Sequence, residues 1–373
     1  MPRILILTAG FGEGHNTAAK SLAAAVAEES PGADVRVADP MALGCPRLTA
    51  TARRLYMGLI HRLPWAWQLI YDKTDASDPV HYANGLLAGA ARWLRDTVAD
   101  FRPDCVVTTY FLYTGFWADL YQGRAPCPFH TVVTDSINVN SVWVHGYSDS
   151  WCVSDPWSAD RLELLGVPPE RVQVTGFPVS PRFSALPRDL APPAAGEPFK
   201  VLVFPIGSRR RTRRLLDALS KLPPTPVWQA TVVLGKHKAQ LQPMVVAAIR
   251  DRFLPQDTEI LGWTDRVPEL LATHHLLVGK AGGATVHEAR TAARPMLVHY
   301  AVPGQEYGNV RLLELEGGGR LVATPEEFVR GWSWLTDNHF AGWRQARDSL
   351  VAAAVPDPSR RTARHILGLP PAP

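Results

Sequence analysis

The chain has 373 residues, 46% of them hydrophobic and 20% charged, which supplies apolar material for two domain cores and excludes wholesale disorder. Lys and Arg number 39 against 35 Asp and Glu, a formal charge of +4, too mild to point to a nucleic-acid partner. The four cysteines, at positions 45, 105, 127 and 152, form no Cys-x-x-Cys, so neither a disulfide framework nor structural zinc is expected and a reducing, cytoplasmic setting is the simpler reading.

In chain order, Arg3–Thr8 is too short for a signal-peptide core and lacks a small-x-small cleavage site; it predicts a buried strand. An Ala-rich helix over Asn16–Glu29 and a strand over Asp34–Ala38, ended by Asp39-Pro40, complete a strand–helix–strand unit. That order, with a glycine-rich first turn, begins a doubly wound parallel sheet. Apolar runs at Cys105–Thr108, His130–Thr134 and Val172–Thr175 extend it, and Trp157–Leu165 has a helical pattern. No run approaches the roughly 20 apolar residues of a membrane-spanning helix.

A proline-rich break from Pro178 to Pro198 marks a domain boundary, giving a Rossmann-like N-terminal domain at 1–180 and a linker at 181–198. The grammar then restarts. Lys200–Phe204, Val227–Leu234, Glu259–Leu261, Leu276–Gly279 and Pro295–His299 predict strands, while Arg211–Lys221, Gln240–Arg252, Thr285–Ala293 and Asn309–Glu316 predict helices. The second domain spans 199–340, and a C-terminal helix and tail occupy 341–373, with the N-terminal domain as a packing partner. Two such α/β sheets in tandem predict a cleft between their carboxyl edges, where open sheets bind ligands.

Gly10-Phe-Gly-Glu-Gly-His15 closes the first strand and opens the first helix. Its glycines allow close backbone approach, and the helix start offers free N–H groups. The spacing is not Gly-x-Gly-x-x-Gly, although Asp39 mimics the ribose-binding acid of NAD enzymes. His15 fits a general base kept neutral by the helix dipole, or a plain turn cap. Gly279-Lys-Ala-Gly-Gly-Ala-Thr285-Val-His-Glu288 places Gly282, Gly283, Ala284 and Thr285 at a strand-to-helix turn suited to a diphosphate. Glu288 on the helix that follows can accept ribose hydroxyls. Gln305 and Glu306, within Val302-Pro-Gly-Gln-Glu-Tyr-Gly-Asn309, suit the hydroxyls of a hexose.

Gly12-Glu-Gly-His15, Thr131-Val-Val-Thr-Asp135, Trp143-Val-His145, Val174-Thr-Gly-Phe-Pro-Val179, Lys280-Ala-Gly-Gly-Ala-Thr285 and Pro303-Gly-Gln-Glu-Tyr-Gly-Asn309 together resemble one family, the monogalactosyldiacylglycerol synthases and processive diacylglycerol glucosyltransferases. These are inverting GT-B glycosyltransferases, related to the N-acetylglucosaminyltransferase of peptidoglycan precursor synthesis. The resemblance implies two Rossmann-like domains facing a central cleft, with a UDP-glucose or UDP-galactose donor on the C-terminal half and a diacylglycerol-type acceptor on the N-terminal half. By that resemblance His15 is the base, with Gly12 and Gly14 in its turn. Glu288 holds the ribose, Gln305 and Glu306 face the sugar, and Asn309 closes their motif. Trp263 and Thr264 occupy the uracil-contacting loop, Gly207 and Ser208 approach the diphosphate, and Trp143 and His145 line the acceptor side. Asp135 orients His15 or the acceptor, or caps a helix. The departure is Ser208-Arg-Arg-Arg-Thr-Arg-Arg214, where the family often carries glycines; its five arginines neutralise a diphosphate or form a solvated helix face. No Asp-x-Asp occurs, so no metal and no cofactor beyond the donor substrate is expected.

The segment 47–73 sets Arg47, Arg53, Arg54, Arg62 and Lys73 against Asp72 alone, interleaved with Trp65, Trp67 and other large apolar residues. That mixture suits an anionic membrane surface, or a helix packed on its own domain with the arginines in water. His274-His275 lack neighbouring carboxylates or cysteines and read as core or surface histidines. The expected protein transfers a hexose from a UDP-sugar to a diacylglycerol-type hydroxyl, peripherally at the inner face of the cell membrane. The alternatives are a UDP-N-acetylglucosamine epimerase-like enzyme, a UDP-sugar enzyme with a non-lipid acceptor, an NAD enzyme, and a non-catalytic sugar-nucleotide binder.

Overall fold

The computed structural model describes residues 1–75 and 85–371. Its first sheet contains β1 (Arg3–Leu7), β2 (Asp34–Ala38), β3 (Cys105–Thr108), β4 (Phe129–Val132), β5 (Ser150–Val153) and β6 (Val172–Val174). All pairs are parallel, in the order β2-β1-β3-β4-β5-β6, with Ile4 opposite both Val35 and Cys105. The near-continuous apolar runs of β1 and β3 are buried, as strands covered on both faces must be, while β2 at the edge is largely exposed.

The second sheet contains β7 (Phe199–Val203), β8 (Trp228–Val233), β9 (Glu259–Leu261), β10 (Leu276–Lys280), β11 (Met296–Tyr300) and β12 (Gly319–Leu321). Its order is β12-β11-β10-β7-β8-β9, again parallel. Strand order reverses beside β1 in the first sheet and beside β7 in the second. Loops leaving β1 and β3, and β7 and β10, therefore diverge at switch points, where open sheets bind ligands.

The chain forms two compact units. The first comprises Met1–Ser184, Val302–Gly308 and Val355–Pro373, the second Ala185–Ala301 and Asn309–Ala354. In the first unit, helix Glu13–Glu29 buries Ala18, Ala19, Leu22, Ala25 and Val26, a stripe at helical spacing. Ala363 and Ile366 of the C-terminal helix Pro358–Ile366 join that stripe in one cluster, and Arg360 and Arg364 both pair with Glu29. The core of the second unit gathers Phe199, Val203, Leu216, Trp332 and Trp343.

Several boundaries differ from the sequence expectation. Helices start at Glu13, Arg209, Gly283 and Tyr307, each two or three residues before the apolar periodicity begins, because a first turn needs no buried face. β4 ends at Val132, which leaves Thr134 and Asp135 on the loop beyond it. β5 was not legible because Ser150 opens it and only three apolar residues follow, and β12 because it is three residues long and begins on the last glycine of the run at 317–319. Residues 341–354 belong to the second unit: Trp343, Ala346 and Leu350 lie in its core, beyond a kink at Asp337–Phe340 in the helix Pro325–Ala353. Of the tail, 372–373 lie outside the described residues.

Candidate active site

In the first unit, the turn after β1 leads into helix Glu13–Glu29 with Gly12 as its N-cap, so His15 lies in the first helical turn. Its Nδ1 is 2.8 Å from the Thr109 carbonyl beyond β3 and 2.8 Å from Thr134 Oγ1 beyond β4. A carbonyl can only accept, so Nδ1 carries the proton and the Nε2 lone pair is left to act as a base. The ring also meets Tyr110 edge-on at 5.0 Å. Burial lowers the His15 pKa to about 4, partly opposed by the bond to Thr109, so the imidazole is neutral at pH 7. The Thr109 hydroxyl bonds the His15 carbonyl at 3.1 Å, fixing backbone and ring together.

Asp135 does not bond His15. Its Oδ2 accepts the Trp143 indole N–H at 2.8 Å, and burial raises its pKa to about 6 against that hydrogen bond. Trp143 is itself buried, and its ring lies 6.3 Å from that of His15. His145 is half-buried and ends the short turn Ser141–Val144.

Among the glycines of this turn, Gly10 is the crowded one. A Cβ there would lie 3.3 Å from the Arg53 guanidinium and 3.6 Å from Asp39, whereas one at Gly12 would come no nearer than 3.9 Å to His15 and one at Gly14 would meet nothing within 4 Å. Asp39 accepts Gly10 N–H at 3.0 Å, Ala42 N–H at 2.9 Å and the Tyr113 hydroxyl at 3.2 Å. Both its oxygens are committed to the fold, which removes it as the ribose acid of an NAD site. A cavity of about 570 Å³ opens beside Gly10 and Asp39, lined by Thr49, Arg53, Arg54 and Met57.

Segment 47–73 forms helices Pro46–Arg62 and Pro64–Asp75. Leu55 and Trp65 are 70% and 69% exposed, and Arg53, Arg54 and Arg62 also face solvent. Trp67, grouped with Trp65 by sequence, turns inward instead and packs on Tyr56 at 5.0 Å. The Gln305–Glu306 loop lies in this same unit. Glu306 is buried and its Oε2 accepts Val302 N–H at 2.8 Å, while the Gln305 carboxamide meets the Tyr56 hydroxyl.

In the second unit, β10 runs through Gly282, the N-cap, into helix Gly283–Thr291 with no side-chain cap. The first helical hydrogen bond is Val286 N–H to Gly282 O, so the N–H groups of Gly283, Ala284 and Thr285 are open to an anion. Asn309 braces this turn through a 3.0 Å bond from Nδ2 to the Ala281 carbonyl, and its Oδ1 is buried without a partner. Glu288, in the second turn, is half-buried; burial alone raises its pKa to about 8.

Gly207 lets the His237 ring approach, since a Cβ there would lie 2.5 Å from it. Ser208 caps helix Arg209–Leu219 without a side-chain bond. Arg211 stacks on Tyr300 at 3.6 Å, and Arg209, Arg210, Arg213 and Arg214 are exposed. Three arginines in a first turn oppose the helix dipole, a conflict that an anion bound there would relieve. Trp263 is 77% exposed, and Thr264 Oγ1 accepts Arg266 N–H at 3.1 Å in the same loop. Thr109 and Tyr110 were not singled out by sequence, Thr134 stood only inside the motif Thr131–Asp135, and Tyr56 only among the large apolar residues of segment 47–73. Thr109 acts on the ring through its backbone carbonyl, for which no side-chain pattern exists.

Comparison with known proteins agrees with the motifs. Residues 15–179 match the family model described as monogalactosyldiacylglycerol (MGDG) synthase. The processive diacylglycerol beta-glucosyltransferase of Bacillus cereus (strain G9842) is 25% identical over 98% of this chain and 93% of its own length. Among solved structures, Acinetobacter baumannii MurG superposes with a TM-score of 0.66 at 15% identity, covering 99% of this chain and all of MurG. The Neisseria meningitidis UDP-GlcNAc 2-epimerase gives 0.59 at 13% identity, covering 99% of this chain and 100% of its own. The fold is GT-B, and the resemblance read from the motifs is borne out.

Proposed function

From its likeness to the monogalactosyldiacylglycerol synthases and processive diacylglycerol glucosyltransferases, we propose that this chain is an inverting glycosyltransferase. It moves a hexose from a UDP-sugar to the hydroxyl of a diacylglycerol-type lipid. The observation that carries the chemistry is the lock on His15, whose Nδ1 is held by Thr109 so that Nε2 is the base. Nε2 takes the acceptor's hydroxyl proton while the oxygen bonds the anomeric carbon from the face opposite UDP. The bond from that carbon to the diphosphate oxygen breaks, and UDP leaves with the electron pair. Open N–H groups at Gly283–Thr285 and the arginines at 209–211 offset its charge without a metal. Glu288 holds the ribose, Trp263 stacks on the uracil, and Gln305 binds the hexose.

The test is incubation with radiolabelled UDP-glucose, UDP-galactose and UDP-N-acetylglucosamine plus diacylglycerol vesicles, followed by thin-layer separation. Label from one UDP-hexose should move into a glycolipid, which also identifies the sugar. Label confined to free sugar, or to an epimerised UDP-sugar, would refute the transferase reading.

Asp135 sets the acid limb of the activity. Its carboxylate is ionised above about 6 and neutral below, and its negative charge favours the imidazolium formed as His15 takes the proton. The expected kcat/KM falls about tenfold per pH unit below pH 6, the slope of a single protonation. In Asp135→Asn the fall moves down towards pH 4, where His15 itself titrates. A variant profile superimposable on wild type would take Asp135 out of this role.

The exposed Leu55 and Trp65, flanked by Arg53, Arg54 and Arg62, fit the lipid surface on which the acceptor lies. Burying one such apolar side chain is worth about 1.5–3 kcal/mol. Leu55→Asp combined with Trp65→Asp should therefore cut co-sedimentation with phosphatidylglycerol vesicles at least about tenfold. Unchanged sedimentation would place the contact elsewhere.

A further inference from the structure

The two helices that carry the exposed apolar residues also hold the sugar loop from behind. Tyr56 Oη lies 3.2 Å from Gln305 Oε1 and 3.1 Å from Gln305 Nε2. One residue earlier, Gly304 adopts φ +82, and a Cβ there would lie 2.8 Å from the Tyr71 ring. Tyr71 in turn donates its hydroxyl to the Asn138 carbonyl at 2.9 Å. Tyr56 is fixed edge-on between Trp67 at 5.0 Å and Phe11 at 6.0 Å, and Phe11 stacks on Tyr110, which touches His15. The ring that carries the hydroxyl meeting Gln305 is therefore packed on two sides.

We propose that Tyr56 is a positioning residue for the donor hexose: it fixes the orientation of the Gln305 carboxamide and so ties sugar recognition to the lipid-facing helices. This rests on the reading that Gln305 binds the hexose of a UDP-sugar. One hydroxyl donates to Oε1 and accepts from Nε2 together, bridging the two ends of the amide. That bridge fixes the plane of the amide and leaves the outer Oε1 lone pair and the outer Nε2 N–H for sugar hydroxyls. The phenol stays neutral across the working pH range, since burial pushes Tyr56 up to about 12. Without it the terminal amide torsion is broad and roughly two-fold, and no single plane is presented to the sugar.

Calorimetric titrations with UDP, UDP-glucose and UDP-galactose on the full chain test this, using Tyr56→Phe, Gln305→Ala and the double variant. Tyr56→Phe keeps the packed ring, and circular dichroism checks its fold. The expected result is unchanged UDP affinity in all three. The extra affinity contributed by the preferred hexose should fall about 3–10-fold in Tyr56→Phe, the worth of one neutral hydrogen bond. The double variant should lose no more than Gln305→Ala alone, because coupled residues are non-additive. The donor KM should rise in Tyr56→Phe with kcat nearly intact. Wild-type hexose discrimination in Tyr56→Phe, equal losses for UDP and UDP-hexose, or losses that multiply would each overturn the proposal. Failure of the underlying reading shows differently, as wild-type protein that binds no UDP-sugar, and that result overturns both.

Discussion

Replacing His15 by alanine should lower kcat by about 10²–10⁴, the usual contribution of a positioned general base, with UDP affinity at the wild-type value. The expectation rests on the tautomer. The bond from Nδ1 to the Thr109 carbonyl leaves Nε2 as the only basic nitrogen, and burial holds the ring neutral, with its pKa lowered to about 4. As it accepts the proton it becomes an imidazolium whose Nδ1–H already points at a carbonyl and a threonine hydroxyl. That preorganisation makes a weak base effective, because no dipole must turn as charge develops. Affinity for UDP is unaffected because the residues proposed to hold the nucleotide lie in the second compact unit. Single-turnover rates together with UDP titration check both halves, and wild-type turnover would refute the role. Thr134→Val, which removes one acceptor at Nδ1 and keeps the carbonyl, should cost far less.

Glu288→Ala should weaken UDP binding about 10–150-fold, which is about 1.5–3 kcal/mol for hydrogen bonds to a charged group. Burial raises the Glu288 pKa to about 8, so the free enzyme carries this carboxyl mostly protonated at pH 7. Two ribose hydroxyls that donate to it favour the carboxylate. UDP binding at pH 7 should therefore release close to one proton, and affinity should rise as pH increases towards 8. Calorimetry in two buffers of different ionisation enthalpy reads that proton, which should vanish in Glu288→Gln. Stability runs the other way. The native state binds this proton more tightly than the unfolded chain, so stability is lost as pH rises towards about 8. Glu288→Gln should accordingly raise the melting temperature above pH 8, by about 2–4 °C per kcal/mol relieved. Wild-type UDP affinity in Glu288→Ala would remove the residue from the ribose.

All strands of both sheets except β5 and β12 were legible in the sequence because their evidence is local. Runs such as Ile4–Leu7 and Val201–Val203 are apolar over consecutive residues, and that is how a strand buried on both faces reads. The glycine turns at Gly12 and Gly282 stand where the helices begin, since close approach and open N–H groups are properties of a few adjacent residues. The residues proposed for the site were visible for the same reason: His15, Glu288, Gln305 and Trp263 all fall at turns after predicted strands or on the helices that follow.

Their partners and protonation were decided only by the tertiary structure. Thr109 stands 94 residues from His15 and uses a backbone carbonyl, which every residue possesses and no pattern marks. Asp135 bonds the Trp143 indole rather than the imidazole, Trp67 turns inward where Trp65 does not, and Gln305 meets Tyr56 across 249 residues. Periodicity states which face of an element is apolar. Burial, tautomer and pKa depend instead on which distant loops converge where strand order reverses, and convergence is a property of the packed chain.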